Sequence, residues 1–139
     1  VEECIMPRLY REAPLNSIWE GSGNIMGLDV LRAMTREPDA IPAFMAELEM
    51  ARGNDANLDH RIDDLRAELE NKIGIEARMR MITEMMALCL QGALLTQHAP
   101  AAVAEAFCAS RLAPRYRGAY GTLPEGCDLL AVIDRAMPA

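Results

Sequence analysis

Apolar residues recur at helical spacing through most of the chain, and nowhere do they alternate with polar ones long enough to read as a strand. Leu58, Ile62, Leu65, Leu69 and Ile73 are spaced 4, 3, 4 and 4 apart, with charged residues on the other sides. That pattern predicts an amphipathic helix on one flank of a helical bundle. Beyond Gly74 a second seam, Ile75, Met79, Ile82, Met86, Leu90 and Leu94, runs towards His98, and the stretch from Met85 to Leu95 is almost wholly apolar. A helix apolar on most of its sides belongs at the centre of the bundle.

Shorter segments follow the same logic. A helix is expected over residues 3–12, kinked by Pro7 and stopped by Pro14. Ile25, Leu28, Leu31 and Ala33 predict a second over about 24–36, with Ser22 or Asn24 as its cap. Asp39 is placed to cap a segment in which Ile41, Phe44, Met45, Leu48 and Ala51 repeat until Gly53 ends it. Pro100 suits the first position of a helix over 100–112, and Thr122-Leu123-Pro124-Glu125 reads as a capping box opening a last helix to about Met137. Six or so helices with short connections and no sheet point to an all-α fold, an antiparallel helical bundle. Residues 1–139 are expected to form a single helical domain.

Composition agrees with the pattern. Hydrophobic residues make up 51% of the 139, aromatics only 4%, and Ala, Leu and Met far outnumber the β-branched residues that favour sheet. The net charge of −7 opposes any general basic coat for nucleic acid. A local arginine cluster remains: Arg111, Arg115 and Arg117 flank Pro114 with Tyr116 and Tyr120 interleaved, a combination suited to phosphate contact and stacking in a DNA interface. A solvated surface or a subunit contact explains the same cluster.

No uncharged apolar stretch is long enough for a membrane span, and the N-terminus lacks the features of a secretory signal, so a cytoplasmic location is expected, with no membrane partner. Cys4, Cys89, Cys108 and Cys127 are far apart with no C-x-x-C pair, and His60 and His98 are the only histidines, so no metal site and no disulfide framework are expected. Met79, Met81, Met85 and Met86 could form a homo-oligomer interface, but a methionine stripe at helical spacing is more readily core.

One stretch does more than build a bundle. Asn16-Ser17-Ile18-Trp19-Glu20-Gly21-Ser22-Gly23-Asn24-Ile25 brackets the chain's single Trp and a lone carboxylate with glycines, immediately before a helix N-terminus. It supplies flexible backbone, hydroxyl and amide side chains, and helix N–H groups that attract anions. A capped turn, with Glu20 complementing the helix dipole, would account for the same residues.

The longer string R-L-Y-R-E-x-P-x-N-S-I-W-E-G-S-G-N-I, Arg8 to Ile25, resembles the acyl-CoA dehydrogenase superfamily, in which an aromatic residue and E-G-T precede a helix. With Q-H-A-P-A-A-V-A-E-A-F-C-A-S-R-L and G-T-L-P downstream, it is most similar to the AidB-like, adaptive-response branch. The resemblance covers nearly the whole chain and thins between residues 38 and 75. It implies FAD as cofactor, an acyl-CoA thioester as substrate, and Glu20 as the general base that removes the α-proton while the β-hydrogen leaves as hydride to the flavin. By the same resemblance Ser22 and Asn24 contact FAD, and Trp19 and Gly21 belong to the substrate pocket. Family members more often carry Tyr, Thr and Gln where this chain has Trp19, Ser22 and Asn24. The branch is also associated with DNA binding and protection against alkylation, so DNA is a possible partner. The domains that complete a flavin pocket are absent from these residues, which implies the C-terminal part of a longer protein, inactive when isolated.

Overall fold

A computed structural model describes residues 3–19, 21–114 and 121–137. The described residues are helical with short connections and contain no strand, which bears out the all-α bundle. Among the described residues seven α-helices follow one another: α1 (Met6–Glu12), α2 (Gly23–Arg36), α3 (Ala40–Glu49), α4 (Ala56–Glu70), α5 (Ile75–His98), α6 (Ala101–Phe107) and α7 (Leu129–Ala136). A 3-10 turn, Ala13–Ser17, continues α1, and a π-helical turn, Cys108–Leu112, continues α6. In the latter the Ala113 N–H donates to the Cys108 carbonyl at 3.2 Å, the wide spacing of a π turn.

The start of α4 is written into its first residues. Asp55 sits in extended backbone and its Oδ1 accepts from the N–H groups of Asn57 at 2.8 Å and Leu58 at 3.1 Å, satisfying two donors that the helix leaves open. Leu58, Ile62, Leu65 and Leu69 then face inward and are buried, as their spacing predicts. Ile73, the fifth member of that seam, is 88% exposed: α4 stops at Glu70, and Ile73 lies in the link that Gly74, with φ of +62°, turns into α5.

Helix α5 is the central element, touching α2, α3, α4, α6 and the π turn. Its buried line runs through Met79, Ile82, Met85, Cys89, Gly92 and Ala93 instead of through Leu90 and Leu94. A regular helix turns every 3.6 residues, so a seam drawn with repeated steps of four drifts off the buried face along 24 residues, and Leu94 ends 41% exposed. Met79 and Met85 are core, whereas Met81 is exposed and Met86 half-buried.

Two further expectations are corrected. The last helix does not open at Thr122: residues 122–124 are irregular, Gly126 adopts φ of +92°, and α7 begins at Leu129 with Asp128 Oδ1 accepting from the Ala131 N–H at 3.0 Å. Pro7 lies in the first turn of α1, where its missing N–H costs nothing, so it starts that helix instead of kinking it.

Ion pairs clamp the outside of the core. Arg52 holds Glu49 at 2.7 Å and Asp63 at 2.8 Å, Arg66 also reaches Glu49, and Arg78 pairs with Glu68 across the α4–α5 link. Neither α1 nor α7 buries a residue. Apolar side chains stay exposed along α1 and the 3-10 turn, among them Ile5, Met6, Leu9 and Leu15, and along α7 at Leu130 and Ile133.

Candidate functional site

The Gly-bracketed stretch leaves the 3-10 turn and enters α2. The N–H groups of Ile18 and Trp19 both donate to the Leu15 carbonyl at 3.0 Å, which fixes the chain up to Trp19. Trp19 is 54% exposed, so these residues alone do not enclose it in an apolar wall. Glu20 lies outside the described residues. Gly21 has φ of +110°, a conformation costly for any residue with a Cβ, so glycine is required there. Ser22 is extended and stands in the N-cap position of α2, yet its side chain makes no capping bond; only its carbonyl is used, by the Met26 N–H at 3.0 Å. Among the described residues, the first-turn N–H groups of α2 therefore have no side-chain partner.

Two cavities flank this helix start where α2 meets α5. One, of about 530 Å³, is lined by Asn24, Leu28, Gly74, Glu76, Ala77, Met79 and Arg80. The other, of about 400 Å³, is lined by Ser17, Gly23, Met26, Arg80, Thr83, Glu84 and Ala87. Arg80 is common to both. The contact between the helices is glycine-dependent: a Cβ on Gly27 would lie 3.2 Å from the Met79 carbonyl carbon, and a Cβ on Gly23 would fall inside the Arg80 guanidinium. Thr83 lines the second cavity, while its Oγ1 is turned away from solvent and has no hydrogen-bond partner among the described residues.

The curated relatives place this arrangement in a family. AidB of Escherichia coli (strain K12), assigned by name to the acyl-CoA dehydrogenases, is 38% identical over 107 residues, 77% of this chain and 19% of AidB. Acyl-CoA dehydrogenase family member 11 of Caenorhabditis elegans is 27% identical over 86 residues, 62% of this chain and 13% of that protein. The chain belongs to the acyl-CoA dehydrogenase family, as an AidB-type member. It spans about a fifth or less of the length of these relatives. No family model matches it.

Of the residues that family likeness singles out, the structure brings Asn24 to the first cavity and leaves Ser22 exposed; Gly23, which lies between them and was not singled out, lines the second. Arg80 was not legible as a site residue, because Glu76, Arg80 and Glu84 at four-residue spacing read as an ordinary solvated ladder. The available clue was Gly23, a poor helix former at the first helical position.

Other candidate chemistry is not assembled. Arg111 is half-buried in the π turn and already engaged, while Arg115 and Arg117 lie outside the described residues, so nothing described supports a shared DNA-contacting face. No group of three or more potential metal ligands occurs among the described residues, and no helix there is long and apolar enough to cross a membrane. All four cysteines are free; burial pushes the thiols of Cys89 and Cys108 up to about 12, which keeps them protonated and inert near neutral pH.

Proposed function

We propose that these residues are the C-terminal helical part of an FAD-dependent acyl-CoA dehydrogenase, with Glu20 as its base. The observation that carries the reading is the α2 start. Ser22 is poised as a cap but does not cap, the first-turn N–H groups are left without a side-chain acceptor among the described residues, and the Arg80 guanidinium lies over Gly23 beside them. A flexible glycine turn, free N–H donors and a hydroxyl–amide pair in Ser22 and Asn24 suit a phosphate-bearing dinucleotide such as FAD.

In this reading Glu20 accepts the α-proton of an acyl-CoA thioester, whose carbonyl acidifies that position. The flavin supplies the acceptor for the β-hydride, so the product is the α,β-enoyl thioester and the two electrons leave with the hydride. Ser22 and Asn24 orient the cofactor through hydroxyl and amide contacts. Trp19, the residue before Glu20, forms part of the acyl pocket wall, which the rest of the protein completes. The apolar side chains exposed along α1 and the 3-10 turn support the corollary that other parts of a longer, homo-oligomeric protein cover this end of the bundle.

The test is anaerobic flavin bleaching in the longer protein on mixing with a panel of acyl-CoA thioesters, beside Glu20→Gln. Bleaching in the wild type that disappears in the variant, with FAD still bound, is the expected result. Bound FAD that no thioester bleaches would overturn the dehydrogenase assignment and favour the DNA-protection activity instead.

A further inference from the structure

We infer that Arg80 is a cofactor-binding residue, its guanidinium a ligand for the phosphate groups of the dinucleotide. This rests on the reading above, in which FAD binds at the start of α2, and adds to it a residue from a different helix.

The placement of Arg80 is the first argument. On α5 it has carboxylates at both four-residue neighbours, Glu76 and Glu84, the usual partners for an exposed helical arginine. It pairs with neither, and it has no other ion pair among the described residues. Instead the guanidinium crosses to α2 and lies over the Cα of Gly23, in the space that any other side chain at position 23 would fill.

Electrostatics gives the second argument. The N-terminus of α2 carries the positive end of a 14-residue helix, so a cation resting there forgoes two attractive partners for a repulsive one. An anion touching both resolves that conflict. A phosphate there would accept from the forked guanidinium on one side and from the N–H groups that Ser22 leaves uncapped on the other.

The surroundings give the third. Arg80 is shared by the two flanking cavities, of about 530 and 400 Å³, which is room for more than one phosphate along the α2–α5 crossing. Glu76 and Glu84 also line these cavities, one each; both are exposed, so solvent screens their repulsion of an anion.

The experiment measures equilibrium binding of FAD, ADP and inorganic pyrophosphate to the longer flavin-free protein, in the wild type, Arg80→Gln, Arg80→Lys and Gly23→Ala, with circular dichroism to confirm folding. Loss of a charge-assisted contact predicts FAD binding weakened by about tenfold or more in Arg80→Gln. Arg80→Lys should recover part of the loss, and Gly23→Ala, which evicts the guanidinium, should weaken binding while leaving Arg80 present. ADP affinity should fall in parallel with FAD, since both carry the diphosphate.

Wild type that binds FAD with Arg80→Gln within twofold of it overturns the role of Arg80 and leaves the flavin reading intact. Wild type that binds ADP and pyrophosphate in an Arg80-dependent way but not FAD supports the phosphate site and overturns the flavin reading. Wild type that binds none of the three overturns both.

Discussion

Replacing Gly27 by Ala tests the contact that positions the candidate site. Gly27 is the one fully buried residue described in α2, and an added Cβ would stand 3.2 Å from the Met79 carbonyl carbon and 3.3 Å from both the Met79 oxygen and the Arg80 nitrogen. Those neighbours are backbone of the central helix, which is held from its other sides by α4, α3 and α6 and cannot withdraw as a side-chain tip could. Alanine favours the helix over glycine by about 1 kcal/mol, whereas overpacking a tight contact costs about 1–3 kcal/mol. The balance is a loss of about 1 kcal/mol, roughly a fivefold shift in the folding equilibrium. Urea unfolding should show a lower midpoint with an unchanged slope, and Gly27→Val, with more bulk and less helix propensity, should lose more. Amide NMR shifts at residues 22–25 should move with it, because α2 is levered away from α5 at its first turns. An alanine variant more stable than the wild type would refute the reasoning, since the propensity gain would then be unopposed and the two backbones not in contact.

Asp55→Ala removes the side-chain cap of α4 and should cost about 1 kcal/mol in urea unfolding, while the equivalent change at Asp39, which makes no capping bond, should cost less. The hydrogen bond from Arg52, with the charges of Arg52 and Arg66, holds the Glu49 carboxyl below its usual 4.5. Because the folded value is the lower one, that stabilisation is complete above about 4.5 and disappears as pH falls through the folded value, so the stability difference between wild type and Glu49→Gln should shrink on acidification below 4.5. A difference that widens in acid would exclude the ion pair, and a small amplitude that fades with salt is expected because both partners are partly exposed. A thiol-reactive dye should modify exposed Cys4 quickly and half-buried Cys127 more slowly, leaving Cys89 and Cys108 untouched until urea is added; four fast reactions would contradict the buried core positions.

The bundle was legible because burial in an all-helical chain leaves a periodic trace. Leu58, Ile62, Leu65 and Leu69 declared their helix by spacing, and Asp55 declared its start by side-chain chemistry. Ile73 and Thr122 were misread for a shared reason: each extends or imitates a local pattern that backbone conformation at a nearby glycine overrides, Gly74 in one case and Gly126 in the other. The drift along α5 is subtler. Over a few turns, steps of four and a true 3.6 repeat select the same residues, and they diverge only after Ile82, where Met85, Cys89 and Ala93 replace Leu90 and Leu94.

The candidate site was legible as a motif and silent as a geometry. Ser22 and Asn24 stand out in sequence because they follow Glu20 and Gly21 in a familiar order, but nothing in a linear reading connects them to a residue more than fifty positions later. The connection is made by two glycines. Gly27 lets the α2 backbone close on Met79, and that closeness brings Gly23 under Arg80, four residues nearer the helix start. Met79 and Arg80 are neighbours on α5, and a helix turns about 100° between neighbours, so one enters the core while the next faces the α2 start. Core packing and site chemistry are therefore joined through the backbone of two adjacent residues. Gly27→Ala must disturb both at once, whereas Arg80→Gln, on an exposed side chain, changes the site without opening the core. A cofactor effect that appears in both variants but a stability effect that appears only in the first is the signature of that arrangement.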